Sequence, residues 1–185
     1  MQIDRIEIEN FRCFEHFTAK FHKELTVIVG NNGCGKSTLG RTIIHLQKST
    51  GGSVHFNGKD ITNPTPQELK KLRSDVQIIF QDPSACLNPR RTVKQILMEP
   101  FEIHGLKGQM DVDARIEELM HLVGLDTYHL SRYPHELSGG QKQRIGIARA
   151  LALEPDIIIC DEAVSALDVS VQAQVLNLLQ ELKEK

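Results

Sequence analysis

The feature that most constrains the fold is a glycine-rich stretch, Gly30-Asn31-Asn32-Gly33-Cys34-Gly35-Lys36-Ser37. It matches the pattern G-x-x-x-x-G-K-[ST] of phosphate-binding loops. The context fits as well, because a short β-branched run precedes it and a helix-compatible run follows from Lys36 to Gln47. Glycines let such a loop curl around phosphates without a Cβ in the way. The sequence therefore predicts a strand–loop–helix unit that binds a nucleotide.

The residue types of this loop indicate how it would hold ATP and Mg²⁺. Its backbone N–H groups, together with the positive end of the following helix, would surround the phosphates. Lys36 would reach the β- and γ-phosphates, and the Ser37 hydroxyl would ligate Mg²⁺. The residues predicted to line the cofactor here are Asn31, Asn32, Gly33, Cys34, Gly35, Lys36, Ser37 and Thr38.

The bulk composition is typical of a globular protein from a reducing compartment. The chain has 185 residues, a formal net charge of −2 and four scattered cysteines without a C-x-x-C pair. The charge gives no basic field for nucleic acid, and the cysteine spacing argues against disulfides and zinc. Neither a signal peptide nor an apolar run of about 20 residues is present. We therefore expect a cytoplasmic location and no nucleic-acid partner.

Hydrophobic patterning predicts an α/β fold. Alternating apolar residues indicate half-exposed strands near the N-terminus, whereas continuous apolar runs indicate strands buried on both faces. Asn57-Gly58 predicts a hairpin turn. The predicted strands cover residues 2–9, 17–21, 25–29, 53–56, 59–61, 76–80 and 157–160. A short helix is predicted from Pro66 to Arg73, with the proline in its first turn.

Residues 84–135 differ from the rest and predict an inserted helical subdomain. Prolines and glycines, Pro100 among them, punctuate short helical runs. The clearest run places Val112, Ile116, Leu119 and Val123 on one face, with Gly124 placed to end it. We expect residues 1–83 and 136–185 to form an ATP-binding core that includes an N-terminal antiparallel β subdomain.

The second half of the predicted site follows the apolar run of residues 157–160. Asp161, at the carboxyl end of that strand, would hold Mg²⁺ through water, and Glu162 would polarise the attacking water. An Asp-Glu pair after an apolar run is weak evidence alone, because such pairs often cap a strand. Together with the loop at Gly30 it becomes strong.

The decisive motif is Leu137-Ser138-Gly139-Gly140-Gln141, which predicts a helix start with Ser138 as N-cap and free N–H groups. A simple cap followed by a turn is the ordinary interpretation. Yet the motif resembles the signature of ATP-binding cassette (ABC) ATPases, whose core is a P-loop NTPase fold. The resemblance implies that Ser138, Gly139, Gly140 and Gln141 close over ATP held by a second subunit, in a head-to-tail dimer with itself or a paralogue. It also implies a Q-loop at Gln81, contacting Mg²⁺ and the reacting water, and a D-loop over 165–168.

Three longer segments narrow the resemblance to the ATPases of oligopeptide and dipeptide importers. They cover residues 33–42, 80–90 and 133–138, and residues 168–174 agree with them. The related nickel importer ATPases share much of this pattern, so peptide and nickel stay open. The resemblance implies a membrane-spanning permease partner that docks on the segment after Gln81. The chain would then sit on the inner face of the cell membrane as a peripheral subunit.

The first 32 residues resemble a different branch, the ABC-type ATPases of chromosome maintenance, recombination repair and phage defence. The resemblance rests on residues 6–14 and 25–33, and it implies that Arg12 lies near the nucleotide. Our hypothesis is that the chain is a mosaic with a join between Gly30 and Gly35. The alternative is a divergent natural importer ATPase whose first hairpin has drifted.

The family also uses a histidine one strand after the D-loop helix, and the last histidine here is His135. The sequence thus predicts a chain truncated before that strand, in which ATP binding survives and turnover is impaired. Two alternatives to an importer ATPase follow. One is a nucleotide-binding module with little turnover, and the other is a soluble ATPase of DNA maintenance or defence.

Overall fold

A computed structural model describes residues 5–11, 14–20, 26–30, 36–47, 53–56, 59–80, 82 and 86–161. Its strands are β1 (Arg5–Phe11), β2 (Phe14–Lys20), β3 (Thr26–Gly30), β4 (Ser53–Phe56), β5 (Lys59–Asp60), β6 (Val76–Ile79) and β7 (Ile157–Asp161). Its α-helices are α1 (Lys36–Ile43), α2 (Pro66–Asp75), α3 (Val93–His104), α4 (Val112–Leu122) and α5 (Gly139–Leu151). Two 3₁₀ helices, Thr127–Ser131 and Pro134–Glu136, precede α5.

The strands form two sheets of different kinds. The antiparallel sheet has the order β2-β1-β4-β5, and the parallel sheet has the order β3-β7-β6. Parallel strands need crossover connections, which α1 and the helices after β6 supply here. The expected α/β fold with an antiparallel N-terminal part is therefore confirmed.

Strand β7 is the centre of the core because helices cover both faces of its sheet. Ile158 and Cys160 lie in one buried cluster with residues of α3, α4 and α5. Ile157 and Ile159 lie in the other cluster, with residues of α2, β4 and β6. Alternate side chains of a strand point to opposite faces, so burial on both faces requires an unbroken apolar run.

Helix α3 corrects the expectation that Pro100 separates two helical runs. The helix extends through Pro100 and ends at Gly105, which has a φ of 73°. A proline lacks the N–H for the bond to the preceding turn, but burial of Ile96, Leu97 and Phe101 outweighs that loss. Helices of the described residues reach 13 residues at most, in α5, and none of them has the length and apolar character of a membrane span.

Two other boundaries differ from the sequence expectations. Strand β2 begins at Phe14 rather than residue 17, because Phe11 and Phe14 already pair across the hairpin. Helix α1 ends at Ile43, short of Gln47. Arg73 donates from Nε to the Ile44 carbonyl and from Nη2 to the His45 carbonyl, and His45 has a φ of 56°. The Asn57-Gly58 turn lies outside the described residues.

Gly40 lies where α1 packs against Ile159 of β7. A Cβ on Gly40 would lie 2.8 Å from Cγ2 of Ile159, which real Cβ contacts do not tolerate. We predict that Gly40→Ala lowers the free energy of unfolding by about 1–3 kcal/mol through overpacking. The matched control is Gly146→Ala in α5, where a Cβ would meet no described atom within 4 Å. Urea unfolding should show the control as neutral or stabilised, and equal shifts for both variants would contradict the prediction.

Candidate nucleotide-binding site

The carboxyl ends of the three parallel strands meet at one edge of the sheet. Gly30, the last residue of β3, lies opposite Asp161, the last residue of β7. On the other side of β7, Ile79 lies opposite Cys160, so the chain after β6 leaves at the same edge. In open parallel sheets, ligands bind outside such carboxyl ends. The register thus brings the start of the glycine-rich stretch beside Asp161.

Helix α1 begins at this edge, so the positive end of its dipole lies near the strand ends. Lys36, Ser37 and Thr38 form its first turn; their side chains, and that of Asp161, lie outside the described part of the molecule. Among the other predicted site residues, Arg12, Asn31, Asn32, Gly33, Cys34, Gly35, Gln81, Glu162 and the D-loop at 165–168 also lie outside the described residues.

Cys160, next to Asp161, belongs to the core rather than to the chemistry of the site. It is buried, and burial raises the pKa of its thiol to about 12. The thiol therefore stays protonated at neutral pH and is a poor nucleophile and metal ligand. Cys160 is therefore a core residue.

The signature motif starts helix α5 as expected, with Ser138 as the N-cap. The Ser138 hydroxyl accepts a hydrogen bond from Gln141 N at 3.2 Å, and Gln141 Oε1 accepts one from Ser138 N at 2.9 Å. This is a complete capping box. The N–H groups of Gly139 and Gly140 precede the first hydrogen bond of the helix and so have no intrahelical acceptor. The first turn of α5 can therefore donate to an anion.

Gly139 is exposed, and nothing in the described part of the chain requires glycine there. A Cβ at this position would meet no described atom within 4 Å, and its φ is not positive. Glycine inside a helix costs about 0.5–1 kcal/mol relative to alanine. The open space above Gly139 is therefore suited to close approach by another molecule.

Two arginines hold α5 against the preceding segments. Nη1 of Arg144 donates to the carbonyls of Val123 and Gly124, at 3.2 and 3.3 Å, and so binds the C-terminal end of α4. Nη1 of Arg149 donates to the carbonyl of Cys86 at 2.7 Å. These bonds connect α5 to the end of α4, which follows α3, and to Cys86, which precedes α3.

Gln141 has a further partner that the sequence does not reveal. Its Nε2 lies 3.1 Å from Nε2 of His129, whose Nδ1 lies 2.9 Å from the carbonyl oxygen of Asp126. His129 is a buried residue of the 3₁₀ helix Thr127–Ser131. Its separation of 12 residues from Gln141 matches no helical or strand spacing, and this is why pattern analysis missed it.

Comparisons with known proteins agree on one family. The family described as "ABC transporter" matches residues 17–165. The oligopeptide transport ATP-binding protein AppF of Bacillus subtilis is 55% identical over 159 residues, which are 85% of this chain and 48% of that protein. The dipeptide transport ATP-binding protein DppF of Lactococcus lactis is 53% identical over 161 residues, which are 85% of this chain and 52% of that protein. The chain therefore spans about half the length of the curated relatives it matches.

Solved structures agree with this result. The dimeric structure of a post-hydrolysis state of the ATP-binding cassette MJ0796 bound to ADP and Pi has a TM-score of 0.79 and 29% identity. It matches over 97% of this chain and 83% of that one. The cbiO1 protein of Clostridium perfringens, part of the ABC transporter complex cbiONQ, has a TM-score of 0.75 and 26% identity. It matches over 100% of this chain and 75% of that one.

Proposed function

Because the chain belongs to the ABC transporter family, we propose that it binds and hydrolyses ATP with Mg²⁺ to power the import of peptides. The observation that carries this proposal is the pairing of Gly30 with Asp161 at the strand edge where α1 begins. That pairing supports a shared site for the phosphate-binding loop and the acidic strand end. Peptides are favoured over nickel because AppF and DppF are named as oligopeptide and dipeptide transport proteins.

The proposed roles follow from the residue types and from their order along the sequence. The amides of residues 31–35 and the side chain of Lys36 would hold the phosphates. Ser37, Gln81 and Asp161 offer hydroxyl, carboxamide and carboxylate oxygens, a donor set that suits Mg²⁺. When bound, the metal would neutralise charge on the β- and γ-phosphates. Glu162 would polarise the attacking water, and Gln81 would help to orient it.

The active unit would be a head-to-tail dimer in which each signature covers the ATP of the partner. The exposed Gly139 and the unbonded amides of the first turn of α5 support this, because they offer donors with no Cβ in the way. The match to a dimeric cassette bound to ADP and Pi supports it as well. We assign the core to residues 1–83 and 136–185, and the helical subdomain to 84–135.

ATP titration by calorimetry, followed by phosphate release at saturating ATP, tests the proposal. We expect binding that depends on Mg²⁺ and phosphate release that depends on Glu162. Binding without release would favour a nucleotide module with little turnover instead. Absence of binding would refute the proposal. Release stimulated by DNA would favour the ATPases of DNA maintenance.

A groove between α3 and the strand edge is our proposed docking site for the permease. It has a volume of about 340 Å³ and is lined by residues that include Leu46, Phe80, Ile103 and His104. Ile103 is 61% exposed and Leu46 is 53% exposed, which is high for large apolar side chains. Burial, and then the positive charge of Lys70, lower the pKa of His104, so the groove gains no charge there at neutral pH. Arg73, Glu99 and Arg149 also line the groove, so a short helix of a membrane-spanning subunit with an apolar face and polar flanks fits this chemistry. Such a contact would hold the chain on the inner face of the membrane.

We predict that Ile103→Glu weakens binding to the permease subunits of a peptide importer by about tenfold, because it puts a charge on the exposed apolar part of the groove. The matched control is Met110→Glu, since Met110 is 42% exposed and does not line the groove. Binding to the permease in detergent is measured by biolayer interferometry. Equal affinities of the two variants would contradict the docking site.

We propose that residues 1–32 have a separate origin and are joined to an importer-type chain within the phosphate loop. In this proposal Arg12 lies near the nucleotide. The support for this proposal is the sequence resemblance of residues 6–14 and 25–33 to the other branch. Both branches share the strand–loop–helix unit, so such a join would preserve the site.

A further inference from the structure

A chain of three hydrogen bonds runs from the signature motif into the protein interior. Ser138 N donates to Gln141 Oε1 at 2.9 Å, and Gln141 Nε2 lies 3.1 Å from His129 Nε2. His129 Nδ1 in turn lies 2.9 Å from the carbonyl oxygen of Asp126. The side chains of Gln141 and His129 can each donate and accept hydrogen bonds, so these two side chains alone do not determine the direction of the bonds.

Backbone groups at the two ends determine that direction. The N–H of Ser138 can only donate, so the atom of Gln141 that faces it is the oxygen, and Nε2 is left to face His129. The carbonyl of Asp126 can only accept, so His129 must carry its proton on Nδ1. Nε2 of His129 is then the acceptor for the Gln141 carboxamide. All three hydrogen bonds form together only when His129 is a neutral imidazole that carries its proton on Nδ1.

His129 is held firmly enough to act as a support. Its side chain is buried at 6% exposure and stacks on Tyr128 with ring centroids 3.9 Å apart. The 3₁₀ helix that carries it packs against α3 and α4. Removing the one donor that faces a buried acceptor costs more free energy than breaking a typical surface hydrogen bond, because the acceptor is then left without a partner.

We propose that His129 is a positioning residue of the signature motif. By accepting from Gln141 Nε2, it orients the carboxamide whose oxygen caps Ser138, and so it holds the first-turn amides of α5 in place for the partner's nucleotide. This inference rests on the proposed function, because the signature acts on ATP only in the dimer. The inference predicts that changes at His129 lower the rate of ATP turnover but leave the affinity of the chain's own phosphate loop for ATP unchanged.

The competing explanation is that His129 only fills the core and bonds to its own turn through Nδ1. His129→Asn and His129→Gln distinguish the two. The asparagine side chain can keep the bond to the Asp126 carbonyl but cannot reach Gln141, whereas glutamine places an acceptor at the distance of Nε2. We expect His129→Asn to lower kcat for phosphate release roughly 3- to 10-fold with KM for ATP unchanged, and His129→Gln to restore most of kcat.

A double-mutant cycle with Gln141→Met shows whether His129 acts through Gln141. If it does, His129→Asn has no further effect on kcat in the Gln141→Met background. Multiplicative effects, or equal losses in His129→Asn and His129→Gln, would overturn the inference. Thermal unfolding of each variant separates loss of turnover from loss of fold.

The ¹⁵N spectrum of the imidazole tests the same inference without any turnover. We expect the wild-type chain to show His129 in the Nδ1–H form with its Nε2 resonance at the position of a hydrogen-bonded acceptor, and Gln141→Met to move that Nε2 resonance towards the position of a free acceptor while Nδ1 stays protonated. An Nε2–H signal in the wild type would overturn the inference even if the chain hydrolyses ATP. Absence of phosphate release from the wild type would instead overturn the proposed function, and the Nε2 resonance would still decide whether His129 accepts from Gln141: an Nε2 position unchanged in Gln141→Met would overturn the inference.

Discussion

Replacement of Lys36 by alanine is expected to abolish ATP binding. Lys36 is the first residue of α1, at the edge where Gly30 pairs with Asp161. An ammonium group there is the only side-chain cation of the phosphate loop, and it would face three negatively charged phosphates. Hydrogen bonds to charged groups contribute about 1.5–3 kcal/mol each. Loss of two such bonds weakens binding by at least about 100-fold, because each 1.4 kcal/mol corresponds to about tenfold.

Titration calorimetry with Mg-ATP measures this loss. The matched control is Lys94→Ala, which removes the same charge from an exposed ion pair with Asp113 at 2.8 Å. That variant should bind ATP as the wild type does, because exposed ion pairs contribute little. Thermal unfolding checks that Lys36→Ala is folded. Unchanged ATP affinity in folded Lys36→Ala would remove the phosphate-loop assignment.

The parallel core and the start of α5 could be predicted because their causes are local in the sequence. Strand β7 is buried on both faces, so its four apolar residues appear as one continuous run. Ser138 precedes Gln141 by three residues, which is the spacing of a capping box. Val112, Ile116 and Leu119 are buried on one face of α4, as their helical spacing predicts, and Gly124 follows that helix with a φ of 65°.

Features that depend on contacts distant in the sequence could not be predicted. Pro100 breaks isolated helices, but α3 is held by packing against α4 and α5 that no local pattern shows. The early end of α1 depends on Arg73, which lies 29 residues after Ile44 in the chain. His129 and Arg144 support the signature through bonds that span 12 and about 20 residues. Local patterns thus predict the start of α5 but not the distant residues that hold it in place.

Replacement of Glu162 by glutamine is expected to stop hydrolysis while ATP stays bound. Glu162 directly follows Asp161, the last residue of β7, in the sequence. Glutamine keeps the shape of the side chain but lacks the negative charge that polarises the attacking water. General-base groups contribute about 100- to 10,000-fold to rate, and phosphate release should fall by that factor. The matched control, Glu117→Gln on the exposed face of α4, should release phosphate at the wild-type rate.

Because ATP persists in Glu162→Gln, this variant should also accumulate the head-to-tail dimer, which sedimentation velocity detects. The dimer should form with ATP and be lost with ADP, since only uncleaved ATP joins one subunit's loop to its partner's signature. Adding Gly139→Asp should abolish dimerisation but leave ATP binding intact. The fold accommodates a side chain at position 139, where a Cβ would meet no described atom within 4 Å, but a carboxylate there repels the partner's phosphates. A Glu162→Gln chain that stays monomeric with ATP would contradict the sandwich dimer, and a dimer that survives Gly139→Asp would place the contact elsewhere.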